Sequence, residues 1–217
     1  MCAQYVLKTK ASQLAEKYNI QISDDFNLDF RVMPYSPAIV IVNHNNRLQF
    51  QKMNFSLIPS WSKESKLKFA TYNARVETIL EKPTWKTPFL SKRCLVPVTQ
   101  FVESIYENTY AGNMVKFSDA NNSVLTAAGI WDSWLDTSNQ TIVNSFAIIT
   151  DEPPQFISEA GHDRCPIFLK DESLHEWLNP RNNSPDFLLK FLKNNKPIVD
   201  FKTEIERPLK EGWETRK

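Results

Sequence analysis

Apolar and polar positions along the chain change period several times. From Tyr5 the run YVLKT alternates and predicts a strand, after which ASQLAEKYNI switches to helical spacing with Leu14, Ala15 and Tyr18 on one face. AIVIV and LQFQKMNF predict two strands joined across NHNNR, a polar turn of the hairpin kind. SLIPSW then breaks the pattern with a proline. VKFSD and VLTAAGIW bracket ANNS and predict a second hairpin, and TIVNSFAIIT predicts a further strand. The last third turns helical: SLHEWL, then SPDFLLKFLKNN, in which Phe187, Leu188, Phe191 and Leu192 recur on one side. From Glu204 the chain is charged and reads as a mobile tail. No repeat, low-complexity tract or charge block divides it. The expectation is one domain over residues 1–217 of the α+β class. It is β-rich, with a mixed or antiparallel barrel-like sheet and peripheral helices.

Composition narrows the function classes. A chain of 217 residues, 41% hydrophobic and 24% charged, is long enough to bury a real core. Lys+Arg number 26 and Asp+Glu 25, so a nucleic-acid surface, if present, is local rather than global. No apolar run reaches the roughly 20 residues of a membrane span, and the N-terminus lacks the regions of a signal peptide. The three cysteines, Cys2, Cys94 and Cys165, are odd in number and far apart, which fits a reduced, cytoplasmic compartment. No Cys-x-x-Cys or His-x-x-x-His pair suggests a metal, and no cofactor is expected. A monomer without membrane attachment is the expected form.

Cys2 carries the most unusual chemistry. Once Met1 is removed, an α-amine and a thiol share one residue. The amine titrates near pH 8, so about a tenth is a neutral nucleophile at pH 7. It attacks an aldehyde to give an imine, and the thiol then closes on that imine to a five-membered thiazolidine. In YNARVETI, Asn73, Arg75 and Glu77 share a face if the run is extended, and an Asn–Arg pair there suits a carbonyl and a phosphate. In QFVESIY, strand alternation sets Phe101, Glu103 and Ile105 on one side. Inward, Glu103 is desolvated toward a neutral pKa and made into a proton-transfer group. At an edge, it is a solvated rim residue instead. SEAGHDRCP sets His162 two residues before Arg164, an acid or base beside an anion clamp. His44 falls in a polar turn and His175 on a helix surface, while Cys94 and Cys165 read as core residues.

Taken in order, MCAQ, SLIPSW, NARVET, RCLVPVTQFVES, AGIW and HDRCP resemble the motifs of the SRAP family, the SOS response-associated peptidases or abasic-site processing proteins. The likeness runs from residue 2 to about residue 180. It implies a β-rich fold around a groove for single-stranded DNA, with the mature N-terminal cysteine at its floor. It also implies that Cys2 captures the ring-opened aldehyde of an abasic site as a thiazolidine crosslink, after Met1 is removed by self-cleavage. By matching residues, Asn73 positions the amine and sugar, Glu103 transfers protons, and His162 helps open the deoxyribose ring. Arg75 and Arg164 grip phosphates, and Trp61 and Thr150 join them on the DNA-binding surface. The partner so implied is single-stranded DNA containing abasic sites.

Several positions depart from the family pattern. Gln4 stands where the family has arginine, Ala3 and Ser56 where it has glycine, Ser104 where it has tryptophan, and Cys165 where it has methionine. These flank the groove rather than the four chemical groups, and weak, salt-sensitive binding to intact single strands is expected. Two other readings stay open. One is a non-catalytic single-stranded DNA-binding module. The other is an N-terminal-nucleophile hydrolase or amidotransferase, which such a glycine-poor chain (4 in all) suits badly.

Overall fold

A computed structural model describes residues 3–21 and 28–209. Met1, Cys2 and the part of the charged tail from residue 210 lie outside the described residues. In chain order the elements begin with β1 (Gln4–Lys8), α1 (Ala11–Tyr18), β2 (Asp29–Val32), β3 (Pro37–His44) and β4 (Arg47–Phe55). They continue with β5 (Asn73–Arg75), α2 (Pro83–Ser91), β6 (Arg93–Val98), β7 (Gln100–Ser104) and β8 (Met114–Asp119). β9 (Leu125–Asp136), β10 (Thr141–Asp151), α3 (Gln155–Glu159) and β11 (Cys165–Pro166) follow. α4 (Leu174–Trp177), α5 (Pro185–Asn194) and β12 (Phe201–Arg207) complete the described chain.

Local chemistry explains several boundaries. β3 and β4 pair out to His44 opposite Arg47, leaving Asn45 and Asn46 at φ of 52° and 61°. Two successive positive φ values make a tight turn that matches strand twist, and asparagine tolerates them. α5 starts at Ser184, whose hydroxyl accepts from the Phe187 N–H, with Pro185 in the first turn. It buries Leu188, Phe191 and Leu192 and leaves Phe187 tilted against Phe191 at the margin.

Two sheets result. β10, β4, β3, β6 and β9 pair in succession, and β9 pairs back to β10, so five strands close into a barrel. The barrel is mixed because β10 and β4 run parallel. β5 and β11 add short segments to β10. The second sheet is antiparallel, in the order β12-β8-β7-β1-β2. Alternation along the barrel strands feeds two cores. Ile39, Ile41, Leu95 and Ile149 meet helix residues such as Leu14, Phe89, Trp177 and Leu192. Val40, Val42, Val96 and Ile148 meet Tyr5, Phe101 and Phe117 of the second sheet. Burial on both faces is why AIVIV is continuously apolar rather than alternating.

The expected α+β, β-rich, barrel-like fold with peripheral helices is present, and two local readings are corrected. VKFSD and VLTAAGIW form no hairpin: β8 is flanked by β7 and β12, β9 by β6 and β10, and the turn between them carries the chain from one sheet to the other. The charged run from Glu204 does not begin a tail, because Phe201–Arg207 pair with Met114–Asp119 as β12. Its alternation of Phe201, Thr203 and Ile205 with Lys202, Glu204 and Glu206 suits a half-exposed edge strand.

Candidate active site

β7 lies between β1 and β8, so a residue at its middle has no edge to reach solvent. Glu103 follows Phe101 onto the inward face and is 2% exposed, which excludes the solvated-rim reading. A carboxylate in that position costs several kcal/mol unless partnered, by the general penalty for a buried ion. Its Oε2 lies 3.1 Å from His162 Nε2, and both side chains are sealed from solvent.

His162 follows α3 through a turn at Gly161, whose φ is +99°. A Cβ there would meet the Glu107 carbonyl oxygen at 2.2 Å, so only glycine lets this turn press against the strand end after β7. The other ring nitrogen, Nδ1, lies 2.9 Å from the Arg164 carbonyl oxygen and 3.2 Å from the Arg164 N–H. With the proton on Nε2 facing Glu103, Nδ1 accepts from that N–H. With both nitrogens protonated, Nδ1–H donates to the carbonyl. The same backbone therefore partners Nδ1 whether it donates or accepts, without moving the ring.

Arg164 ties this corner to the NARVET segment. Its guanidinium holds both carboxylate oxygens of Glu77, Nη2 donating to Oε2 at 2.9 Å and to the Thr150 carbonyl at 3.0 Å. The Arg164 guanidinium holds the Glu77 carboxyl below its ordinary pKa of 4.5. Arg164 and Thr150 are buried and brace the site from behind, while Arg75, paired in register with Thr150, is exposed. Asn73, two residues earlier on β5, is buried at 7% exposure.

Trp61 is 56% exposed at the tip of the turn after β4. That turn is pinned by the Ser60 N–H on Asp132 (2.8 Å) and by Trp134 Nε1–H on the Ser62 carbonyl (2.7 Å). Its base is closed where the Leu57 N–H donates to the Thr71 carbonyl, two residues from Asn73. Phe69 at 51% and Tyr35 at 49% are also exposed, with Lys66 over the Tyr35 ring at 5.6 Å. Sequence reasoning missed both aromatics, although the interleaving of lysine and aromatic residues in WSKESKLKFA is the pattern of a base-stacking surface.

Cys2 lies outside the described residues, but the strand it leads into does not. Gln4 pairs with Val102 and Tyr5 with Phe101, so β1 enters the sheet beside the Glu103 end of β7. Tyr5, Phe55 and Tyr72 then form an aromatic chain, with centroids 5.5 and 5.9 Å apart, from β1 to the residue before Asn73. Cys94 and Cys165 are buried, and desolvation pushes both thiols far up, so neither is a nucleophile at neutral pH.

A closed mixed barrel packs against an antiparallel sheet, and a sealed carboxylate–imidazole pair lies beside the end of β7 that β1 flanks. The family model described as SOS response associated peptidase (SRAP) matches residues 1–204, and the chain belongs to that family. It is 31% identical over 198 residues to the abasic site processing protein YoqW of Bacillus subtilis strain 168, covering 89% of this chain and 87% of that one. The abasic site processing protein HMCES of Gallus gallus is 30% identical over 150 residues, 58% of this chain and 44% of its own length. A crystal structure of a protein from Bacteroides thetaiotaomicron superposes with a TM-score of 0.78 at 24% identity, covering 100% of this chain and 95% of that one, and shares the fold.

Proposed function

We propose that this protein processes abasic sites in single-stranded DNA by capturing them covalently through Cys2. Met1 is first hydrolysed from the chain, one water being consumed, which frees the α-amine. That amine adds to the aldehyde of the ring-opened deoxyribose, and loss of water gives an imine. The thiol adds to the C=N bond and its proton passes to the nitrogen, closing a thiazolidine that shields the lesion. The observation that carries this reading is the sealed Glu103–His162 contact at 3.1 Å, at the end of the sheet where β1 begins. Imine formation needs a group that removes a proton from the attacking amine and returns one to the departing hydroxyl, and Glu103 serves both steps. His162 relays the proton that moves when the sugar ring opens. Asn73 holds the amine and sugar, while Arg75 and Trp61 meet the strand by phosphate contact and stacking. Arg164 and Thr150 keep that wall in register.

Incubation with single-stranded DNA carrying one abasic site should give a heat-stable, slowly migrating band, absent for Cys2→Ala. Intact mass should lack Met1. A band of full yield from Cys2→Ala, or a retained Met1 that blocks the amine, removes the proposal.

A further inference from the structure

Gln4, where the family carries arginine, is not an empty substitution. Its Oε1 accepts a 3.1 Å hydrogen bond from Arg31 Nη1, so a guanidinium reaches the same place from the neighbouring strand β2. The other terminal nitrogen of Arg31 pairs with Glu206 Oε1. Glu206 comes from β12, at the opposite edge of the same sheet, where the register shifts between Ile205 and Arg207. Its second oxygen lies 2.7 Å from Lys116 Nζ of β8. Gln4, Val102, Lys116 and Glu204 form one row across four strands, on the face away from the Phe101–Phe117 stack. One carboxylate is thus received by a guanidinium and an ammonium above that row. A phosphodiester presents the same ligand: a single negative charge shared by two terminal oxygens.

We propose that Arg31 and Lys116 form a binding site for a backbone phosphate of the DNA strand, and that Glu206 occupies it until DNA displaces it. The ligand rests on the abasic-site reading above, whereas the test does not. The row starts at Gln4, the first residue of β1, so the site lies at the N-terminal end of that strand. The side chains of Arg31, Lys116 and Glu206 are 35%, 20% and 19% exposed. Arg31 is the most exposed of the three, which leaves its guanidinium the side from which an incoming phosphate meets the pair.

The experiment is a salt titration of binding to intact, fluorescently labelled single-stranded DNA, followed by anisotropy. Glu206→Gln should tighten binding about five-fold at low salt and steepen the log–log salt slope by about 0.7, the increment for one more neutralised phosphate on a single strand. Glu204 also approaches Lys116, at 3.5 Å, so the comparison is Glu16→Gln, the same charge change on the exposed side of α1, which should tighten binding by less than about two-fold. Arg31→Gln should weaken binding several-fold and make Glu206→Gln silent when combined. Equal tightening by the two glutamate variants, or unchanged affinity and slope in a Glu206→Gln protein with a lowered Tm, overturns the proposal and leaves a structural clamp between sheet edges. Intact DNA offers no aldehyde, so failure of Cys2 crosslinking leaves this measurement standing, and the reverse holds too.

Discussion

Two carboxylates of this molecule meet cationic or protonatable partners on the same small sheet, and they are built for opposite purposes. Glu103 faces His162 in the interior, with side chains 2% and 4% exposed, where separating the pair leaves an unscreened charge in a poor dielectric. Glu206 faces Arg31 and Lys116 nearer the surface, with all three side chains partly exposed, where water and salt reach the cluster more readily. Similar pairings are therefore sealed in one place and partly open to solvent in the other. Depth below the surface, not residue identity, separates them.

The largest test of that contrast is Glu103→Gln. It should slow crosslink formation at saturating DNA by about a hundredfold, the usual share of a general acid–base group, equivalent to about 2.7 kcal/mol of barrier. DNA affinity should stay within about two-fold, since a sealed residue contributes nothing to the screened phosphate term. Equal rates for variant and parent would remove the proton-transfer role and make the buried pair structural.

Thiol chemistry sharpens the same contrast at a similar scale. Burial pushes Cys94 and Cys165 upward, so in the folded protein alkylation at pH 8 should modify Cys2 first. The two core thiols should follow at least about a hundredfold more slowly, at the rate of opening. Comparable labelling of all three, read by mass spectrometry, would show that the core surrounding the site is not sealed.

A smaller effect lies at Ser56, buried at 2% exposure with φ of 110° and its hydroxyl lacking a hydrogen-bond partner among the described residues. The family's glycine adopts that φ without strain, so Ser56→Gly should stabilise the protein by about 1 kcal/mol after glycine's own entropy cost. An unchanged or lowered midpoint in urea unfolding would show that the backbone there carries no strain.

The smallest effect is electrostatic. Glu77 is half-exposed and its carboxyl is held below 4.5 by Arg164, chiefly through their hydrogen bond. A depressed carboxylate adds stability that is present above its ordinary pKa and is lost as pH falls through the lower folded value. Stability should therefore be flat near neutrality and drop below about pH 4.5, with Glu77→Gln removing only about 0.5 kcal/mol of that drop. A Glu77→Gln protein with the parent's full acid sensitivity would assign the drop to other carboxylates.

Much of the site was legible because chemistry-bearing residues sit in short, ordered stretches. Strand alternation alone set Glu103 with Phe101 on one side of β7, and the HDRC loop singled out His162 beside Arg164. Partnership was not legible. Nothing within reach of Glu103 along the chain indicates His162, 59 residues away, and Arg164 reads as an anion clamp until Glu77 is seen to occupy its guanidinium. The false hairpin at ANNS has the same origin. Two good strands around a turn pair only if neither edge finds a better partner, and here β7, β12, β6 and β10 took all the edges.

By itself the sequence determined the periodicity of β1, α1, the β3–β4 hairpin and α5 and the order of the family motifs, because these depend on neighbours a few residues apart. Tertiary structure alone decided which carboxylate was sealed and which stayed partly exposed, because dielectric surroundings are set by residues far apart in the chain. It decided equally that Arg31 of β2, not the residue at position 4, presents the guanidinium beside the N-terminal strand. Pairing in a sheet carries no record in local sequence of what lies across the next strand.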